Sequence, residues 1–156
     1  MFAVWRLTSA RRARAAFSGE GARLYGGRWN PKGVPVVYTA QSQALAVLEM
    51  MVQDEALAAR YVMIQAQIPD GVAIEQIDAH SLPAEWRLMR HLETLREIGA
   101  GWARSRRSAV LAVPSAVIPV ETNYLLNPLH PEFKRVRIGK PVAFRLDPRL
   151  LAKSGE

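Results

Sequence analysis

The stretch that decides the fold is Tyr25-Gly-Gly-Arg28-Trp29-Asn30-Pro-Lys-Gly33-Val34-Pro-Val-Val-Tyr38-Thr39, continued by Ala40-Gln-Ser42-Gln-Ala-Leu45-Ala-Val-Leu48-Glu49. Gly26-Gly27 and Asn30-Pro31-Lys32-Gly33 are turn signals on either side of Arg28, because glycine accepts positive φ and Asn-Pro starts a bend. Residues 34–39 are β-branched and aromatic, so they predict a short strand, which Pro35 holds at a sheet edge or at the strand's start. Residues 41–59 contain neither Gly nor Pro and are rich in Ala, Leu, Met and Gln. They predict a helix, with Thr39 or Ser42 as N-cap.

At about 100° per residue, Leu45, Leu48, Val52 and Ala56 form one stripe of that helix, and Glu49 falls among them. A carboxylate turned away from water must be paired or hydrogen-bonded, or it neutralises. Glu49 is thus either half of a structural ion pair, a stripe edge that escapes to solvent, or a catalytic or ligand-binding acid. Arg28, presented between two bends, is a solvated loop side chain or a planar fork for a phosphate or carboxylate. Trp29 reads as a core anchor or a stacking platform. Tyr38, at the strand's end, reads as a cleft residue or as a half-buried aromatic with its hydroxyl in water.

Outward from this stretch, 156 residues make one domain, its core about residues 3–150. Such a chain buries roughly two-thirds of its unfolded surface. There is no cysteine, and His80, His91 and His130 lack ligand spacing, so no metal site is expected. Arg6 and the run Arg11, Arg12 and Arg14 interrupt any apolar leader, and no later stretch approaches about 18 apolar residues. The expectation is a cytoplasmic protein with no membrane partner. A net charge of +7 and a pI near 10.4 invite nucleic acid. The arginines are dispersed, however, with no helix-turn-helix or interleaved aromatics, so an acidic protein or an anionic small ligand fits equally well and no direct nucleic-acid binding is expected.

Taken in order, residues 2–7 predict a first strand with Trp5 inward and Arg6 a second anion contact. Residues 11–17 read as a short helix or loop and residues 18–25 as a mobile connection. Val62, Ile64, Ala66 and Ile68 alternate on one face of a strand over residues 61–68, and residues 72–77 read as another. Leu88, Leu92, Leu95 and Ile98 predict a helix over residues 85–98, ended by Gly99 and Gly101. Residues 108–119 read as a buried strand bent at Pro114, leaving Ser115 at the bend to bond a ligand or the backbone; no glycine elbow or triad supports it as a nucleophile. Residues 121–131 read as a second polar-aromatic loop. Residues 133–138 and 141–146 predict a hairpin about Gly139-Lys140.

Gly27-Arg28-Trp29-Asn30, Tyr38, Glu49 in Leu45-Ala-Val-Leu-Glu49, Val113-Pro114-Ser115, Asn123-Tyr124-Leu-Leu-Asn127-Pro128-Leu-His130-Pro131 and the close Phe144-Arg-Leu-Asp147-Pro148-Arg-Leu150 together resemble the RES-domain family. The resemblance spans about residues 3–150. That family, the toxins of Res/Xre-type type II toxin–antitoxin systems, is named for an Arg, a Glu and a Ser, which fall at Arg28, Glu49 and Ser115. The resemblance implies an α+β single domain with a mixed, split sheet flanked by helices, like ADP-ribosyltransferase toxins. It implies an enzyme that cleaves NAD⁺ at the nicotinamide–ribose bond by hydrolysis or phosphorolysis, or one that transfers ADP-ribose to a protein. NAD⁺ is then a substrate, and no cofactor is expected. The implied partner is an antitoxin with an Xre-like helix-turn-helix domain that blocks the cleft. Arg28, Tyr38 and Glu49 are the expected catalytic residues, with Arg6, Tyr25, Trp29, Ser115 and Asn123 binding substrate. The competing class is a non-catalytic basic module in which Arg28 and Glu49 merely pair.

Overall fold

The computed structural model describes residues 1–53 and 60–151. Its strands are β1 (Phe2–Ser9), β2 (Val37–Ala40), β3 (Tyr61–Ile68), β4 (Ile74–Gln76), β5 (Val110–Pro114), β6 (Thr122–Leu126), β7 (Arg137–Ile138) and β8 (Val142–Phe144). The helices are α1 (Glu20–Tyr25), α2 (Gln43–Gln53), α3 (Leu92–Ser105) and α4 (Pro148–Leu151). The sheet runs β4-β5-β6-β2-β1-β3-β7, with β8 also on β3; β4 and β5 are parallel and the other pairs antiparallel. This is the expected α+β architecture with a mixed sheet. No helix among the described residues is long and apolar enough to cross a membrane.

The sheet divides where β1 meets β2. Phe2 to Ser9 face Ile68 to Tyr61 residue by residue, whereas β1 and β2 share the single register pair Trp5–Ala40. On one face both halves contribute to one cluster: Val4, Ile64, Ala66 and Ile68 pack with Val37, Val110 and Leu126, so the sheet curls about that face. On the other face the halves are covered separately. Leu95, Ala100, Trp102 and Ala103 of α3 pack with Leu111, Val113 and Leu125, while Leu45, Ala46 and Val47 of α2 pack on Leu7, Ala40 and Met63. Side chains two apart on a strand share a face, yet Tyr38 packs with the α3 cluster and Ala40 with the α2 cluster. β2 is therefore the seam between two helix-covered layers.

Several expectations are corrected. Helix α2 buries Leu45, Ala46 and Val47 while Leu48 and Val52 are exposed; its first turns, capped by Ser42 Oγ on the Leu45 N–H, make the contact with the sheet. Ala56 and the expected end of this helix lie outside the described residues. Residues 20–25 form α1 where a mobile connection was expected. Helix α3 starts at Leu92, after a positive-φ residue at Glu85 (φ 57°) and a 3-10 turn at Met89–His91, and it runs through Gly99 and Gly101. Gly99 is there for proximity: a Cβ on it would lie 1.6 Å from the Trp29 carbonyl oxygen. The polar-aromatic segment contains the central strand β6, paired with both β2 and β5. The final hairpin does not form. β7 and β8 each pair with β3, offset by one residue across Gly139, whose N–H donates to the Gln65 carbonyl at 2.8 Å. An edge strand with a bulge thus covers β3, which would otherwise expose its unpaired groups.

Gly99→Ala should cost about 3 kcal/mol or more, the upper range for overpacking against an immobile group. Gly101→Ala, whose Cβ meets nothing within 4 Å, should instead stabilise by roughly 0.5–1 kcal/mol. Urea unfolding of the two variants checks both signs.

Candidate active site

Pro114 ends β5 and turns the chain, so that Ser115 is fully buried with its N–H on the Glu121 carbonyl at 2.9 Å. Its Oγ accepts the Val117 and Ile118 N–H groups, each at 3.0 Å. With both lone pairs used, the one hydroxyl proton is left to donate, and it goes to Glu49 Oε1 at 2.7 Å. Asn123 sits on β6 between Ala40 of β2 and Val113 of β5, and its Nδ2 donates to the same oxygen at 2.5 Å. Glu49, half-buried on α2, thus reaches over the seam. Among the described residues no lysine or arginine pairs with it, and both of its hydrogen bonds fall on Oε1, leaving Oε2 for a further donor.

The arginine turn is assembled beside it. The Gly27 N–H donates to the Asn30 carbonyl at 2.9 Å, which places Arg28 and Trp29 at a tight tip. Trp29 is 2% exposed and packs on Trp86, ring centroids 6.1 Å apart. Asn30 is completely buried, its amide N–H groups shared among the carbonyls of Ala22, Pro31 and Val34. The Tyr38 hydroxyl donates to Asn30 Oδ1 at 2.5 Å and accepts the Trp29 N–H at 3.1 Å. A Cβ at position 27 would lie 2.6 Å from that hydroxyl, so the turn requires glycine there. Burial pushes the Tyr38 phenol well above its ordinary 10.0, with the Trp29 N–H and the Arg96 and Arg28 cations pulling back weakly. The phenol is a neutral donor at physiological pH.

Two more arginines complete the surroundings. Arg28 Nη1 donates to the Arg87 carbonyl at 3.1 Å, Arg87 Nε to the Ala116 carbonyl at 2.7 Å, and Arg96 Nε to the Gly27 carbonyl at 2.8 Å. Arg87 therefore joins the Arg28 turn to the residue that follows Ser115.

The structure brings Glu49, Ser115 and Asn123 into direct contact, and it sets Tyr38 on β2 two residues before Ala40, which faces Asn123, with Arg28 in the turn bonded to the Tyr38 hydroxyl. It separates the others. Arg6 shares with Val4 and Thr8 the face of β1 turned away from α2, where it lies opposite Ile64, and its Nη1 caps the Tyr38 carbonyl at 2.8 Å where β1 and β2 part. Burial lowers its guanidinium pKa to about 10. Trp29 is withdrawn into the core, and Tyr25 is 73% exposed at the end of α1. Arg87 and Arg96 lie off the apolar stripe of residues 85–98, and no motif in the sequence singles them out. Asn30 was read only as a turn residue; its other signal was its place in the Gly-Arg-Trp-Asn motif.

The RES-domain family matches residues 3–147. Toxin Res of Photorhabdus laumondii is 38% identical over 151 residues, covering 95% of this chain and 96% of the relative. The Prs ADP-ribosylating toxin of a Sphingobium species is 37% identical over 156 residues, covering 96% and 97%. Among solved structures, a chain of the M. tuberculosis MbcT–MbcA toxin–antitoxin complex matches with a TM-score of 0.77 at 22% identity, over 97% of this chain and 87% of that one. The last is a likeness of fold. The chain belongs to the RES-domain toxin family.

Tyr38→Phe leaves Asn30 Oδ1 and the Trp29 N–H without their partner and should cost about 1–3 kcal/mol at pH 7. A phenol whose folded pKa is raised contributes stability that is complete below the unfolded value of 10.0 and drains as pH climbs past it. Urea midpoints above pH 10 should therefore fall more steeply for the wild type than for Tyr38→Phe. Arg6, shifted down by burial, acts in the opposite sense and is common to both proteins.

Proposed function

We propose that this chain is the toxin of a toxin–antitoxin pair and that it cleaves NAD⁺ at the nicotinamide–ribose bond, with water or phosphate as acceptor. The observation that carries this reading is the Glu49 carboxylate, turned over the sheet seam, fixed through one oxygen by Ser115 and Asn123 and free of any cationic partner among the described residues. When the glycosidic bond breaks, nicotinamide leaves with the bonding pair as a neutral molecule, so little acid catalysis is needed. Positive charge develops at the ribose C1 and ring oxygen. A negative group held in place before the reaction stabilises it without reorganising. Glu49 Oε2 accepts from the ribose hydroxyls and lies against the developing cation, and the acceptor then adds to C1 and gives up its proton. Arg28 holds the pyrophosphate. Tyr38, its hydroxyl committed to Asn30 and Trp29, supplies a ring edge and a rigid turn.

Transfer of ADP-ribose to a protein is the second reading, favoured by the similarity to the Sphingobium toxin named for ADP-ribosylation. It uses the same donor chemistry with a different nucleophile. The partner in either reading is an antitoxin with an Xre-like helix-turn-helix domain seated over the cleft, and the site of action is the cytoplasm. The fold neighbour, a chain of a toxin–antitoxin complex, supports the pairing.

Purified protein incubated with NAD⁺, with and without phosphate, should release nicotinamide, and mass analysis of the products identifies the acceptor. Glu49→Gln should keep its unfolding midpoint and lower turnover by about two orders of magnitude or more, the scale of one preorganised electrostatic group. Ser115→Ala, which frees Oε1 on one side, should lower it about tenfold. Turnover near wild type in Glu49→Gln removes the carboxylate from the mechanism.

A further inference from the structure

Arg28, Arg87 and Arg96 differ from many of the chain's other arginines. Arg23, Arg90, Arg107, Arg135 and Arg149 each pair with a carboxylate. None of the three does so among the described residues. Each is tethered instead by a single N–H to a backbone carbonyl, Arg28 on Arg87, Arg87 on Ala116 and Arg96 on Gly27. A carbonyl orients a guanidinium without neutralising it. Arg87 and Arg96, held through Nε, keep both terminal nitrogens as an open fork. Arg28, held through Nη1, keeps the Nε and Nη2 fork. Each such fork matches two oxygens of one phosphoryl group.

Their placement is continuous with Glu49. The carbonyl that holds Arg87 belongs to the neighbour of Ser115, whose hydroxyl binds the carboxylate, and the carbonyl that holds Arg96 belongs to the neighbour of Arg28. Guanidiniums that no carboxylate neutralises among the described residues attract an anion. One phosphoryl group cannot engage three forks, whereas two linked phosphoryl groups can.

We propose that Arg87 and Arg96 join Arg28 in a diphosphate-binding subsite, which makes the protein selective for dinucleotide over mononucleotide donors. The proposal rests on the NAD⁺ reading above and adds to it two specificity-determining residues that lie outside the motif naming the family. Arg87 is the exposed member and closes the subsite toward Ser115; Arg96 is half-buried and closes it toward Tyr38.

The test compares NAD⁺ with nicotinamide mononucleotide as donor, by nicotinamide release, for the wild type, Arg87→Gln and Arg96→Gln. A calorimetric titration with inorganic pyrophosphate is run on the same proteins. The wild type should prefer NAD⁺. Each variant should lose about tenfold or more in kcat/KM for NAD⁺, through KM, as expected for one charge-assisted contact. Its loss on the mononucleotide should be several-fold smaller, and its pyrophosphate affinity should fall in parallel. Arg96→Lys, which keeps the charge, covers the case in which the glutamine variant fails to fold, and should recover part of the pyrophosphate affinity. Equal losses on both donors with pyrophosphate binding intact overturn the proposal. If the wild type turns over neither donor, the NAD⁺ reading fails and the titration alone decides: pyrophosphate binding that both substitutions weaken upholds the subsite, and absent or unchanged binding overturns it.

Discussion

One carboxylate oxygen ties three parts of this molecule together. Glu49 Oε1 takes the Ser115 hydroxyl from the bend after β5 and the Asn123 amide from β6, while its own backbone belongs to the helix covering the other half of the sheet. A charge turned away from water is costly unless hydrogen bonds replace those it leaves. Here two neutral donors do so without cancelling it. An arginine in their place would satisfy the carboxylate equally well and silence its field. The choice of a serine and an asparagine keeps a negative potential at the seam between the two layers.

The cations are held nearby but apart by a turn that has little freedom. Gly99 lets α3 pass against the Trp29 carbonyl, Trp29 is thereby anchored in the core, and its N–H fixes the Tyr38 hydroxyl, which in turn fixes Asn30. Arg28 then emerges from a tip whose every neighbour is bonded. The result, among the described residues, is an arrangement of one carboxylate, Glu49, and three guanidiniums, Arg28, Arg87 and Arg96, that lack ion-pair partners and are linked through backbone hydrogen bonds. An extended ligand with a positive reacting end and a negative bridge matches it.

Much of this could be read from the residues. The strand pattern of residues 61–68 appears in β3 with the same bounds, and the turn signals around Arg28 and the inward pull on Glu49 were visible as polar groups embedded in apolar sequence. What misled was local: Gly99 and Gly101 look like helix stops unless the Trp29 carbonyl is known to pass beside Gly99, and Gly139-Lys140 looks like a hairpin unless the free edge of β3 is in view. Tertiary contacts override propensity at such positions. Arg87 and Arg96 were illegible for a related reason: an arginine beyond the apolar stripe has the same signature whether it faces water or a cleft. Arg6 shows the converse, since its strand position was clear but the face it takes depends on the pairing with β3.

Where the ribose sits decides the role of Glu49, and the most direct measurement is a crystal structure of the Glu49→Gln protein with NAD⁺ bound. The nicotinamide ribose hydroxyls should lie within hydrogen-bonding distance of the side chain at position 49, on the oxygen or nitrogen that Ser115 and Asn123 leave free. A dinucleotide bound elsewhere, or with its ribose turned away from that side chain, would contradict that role.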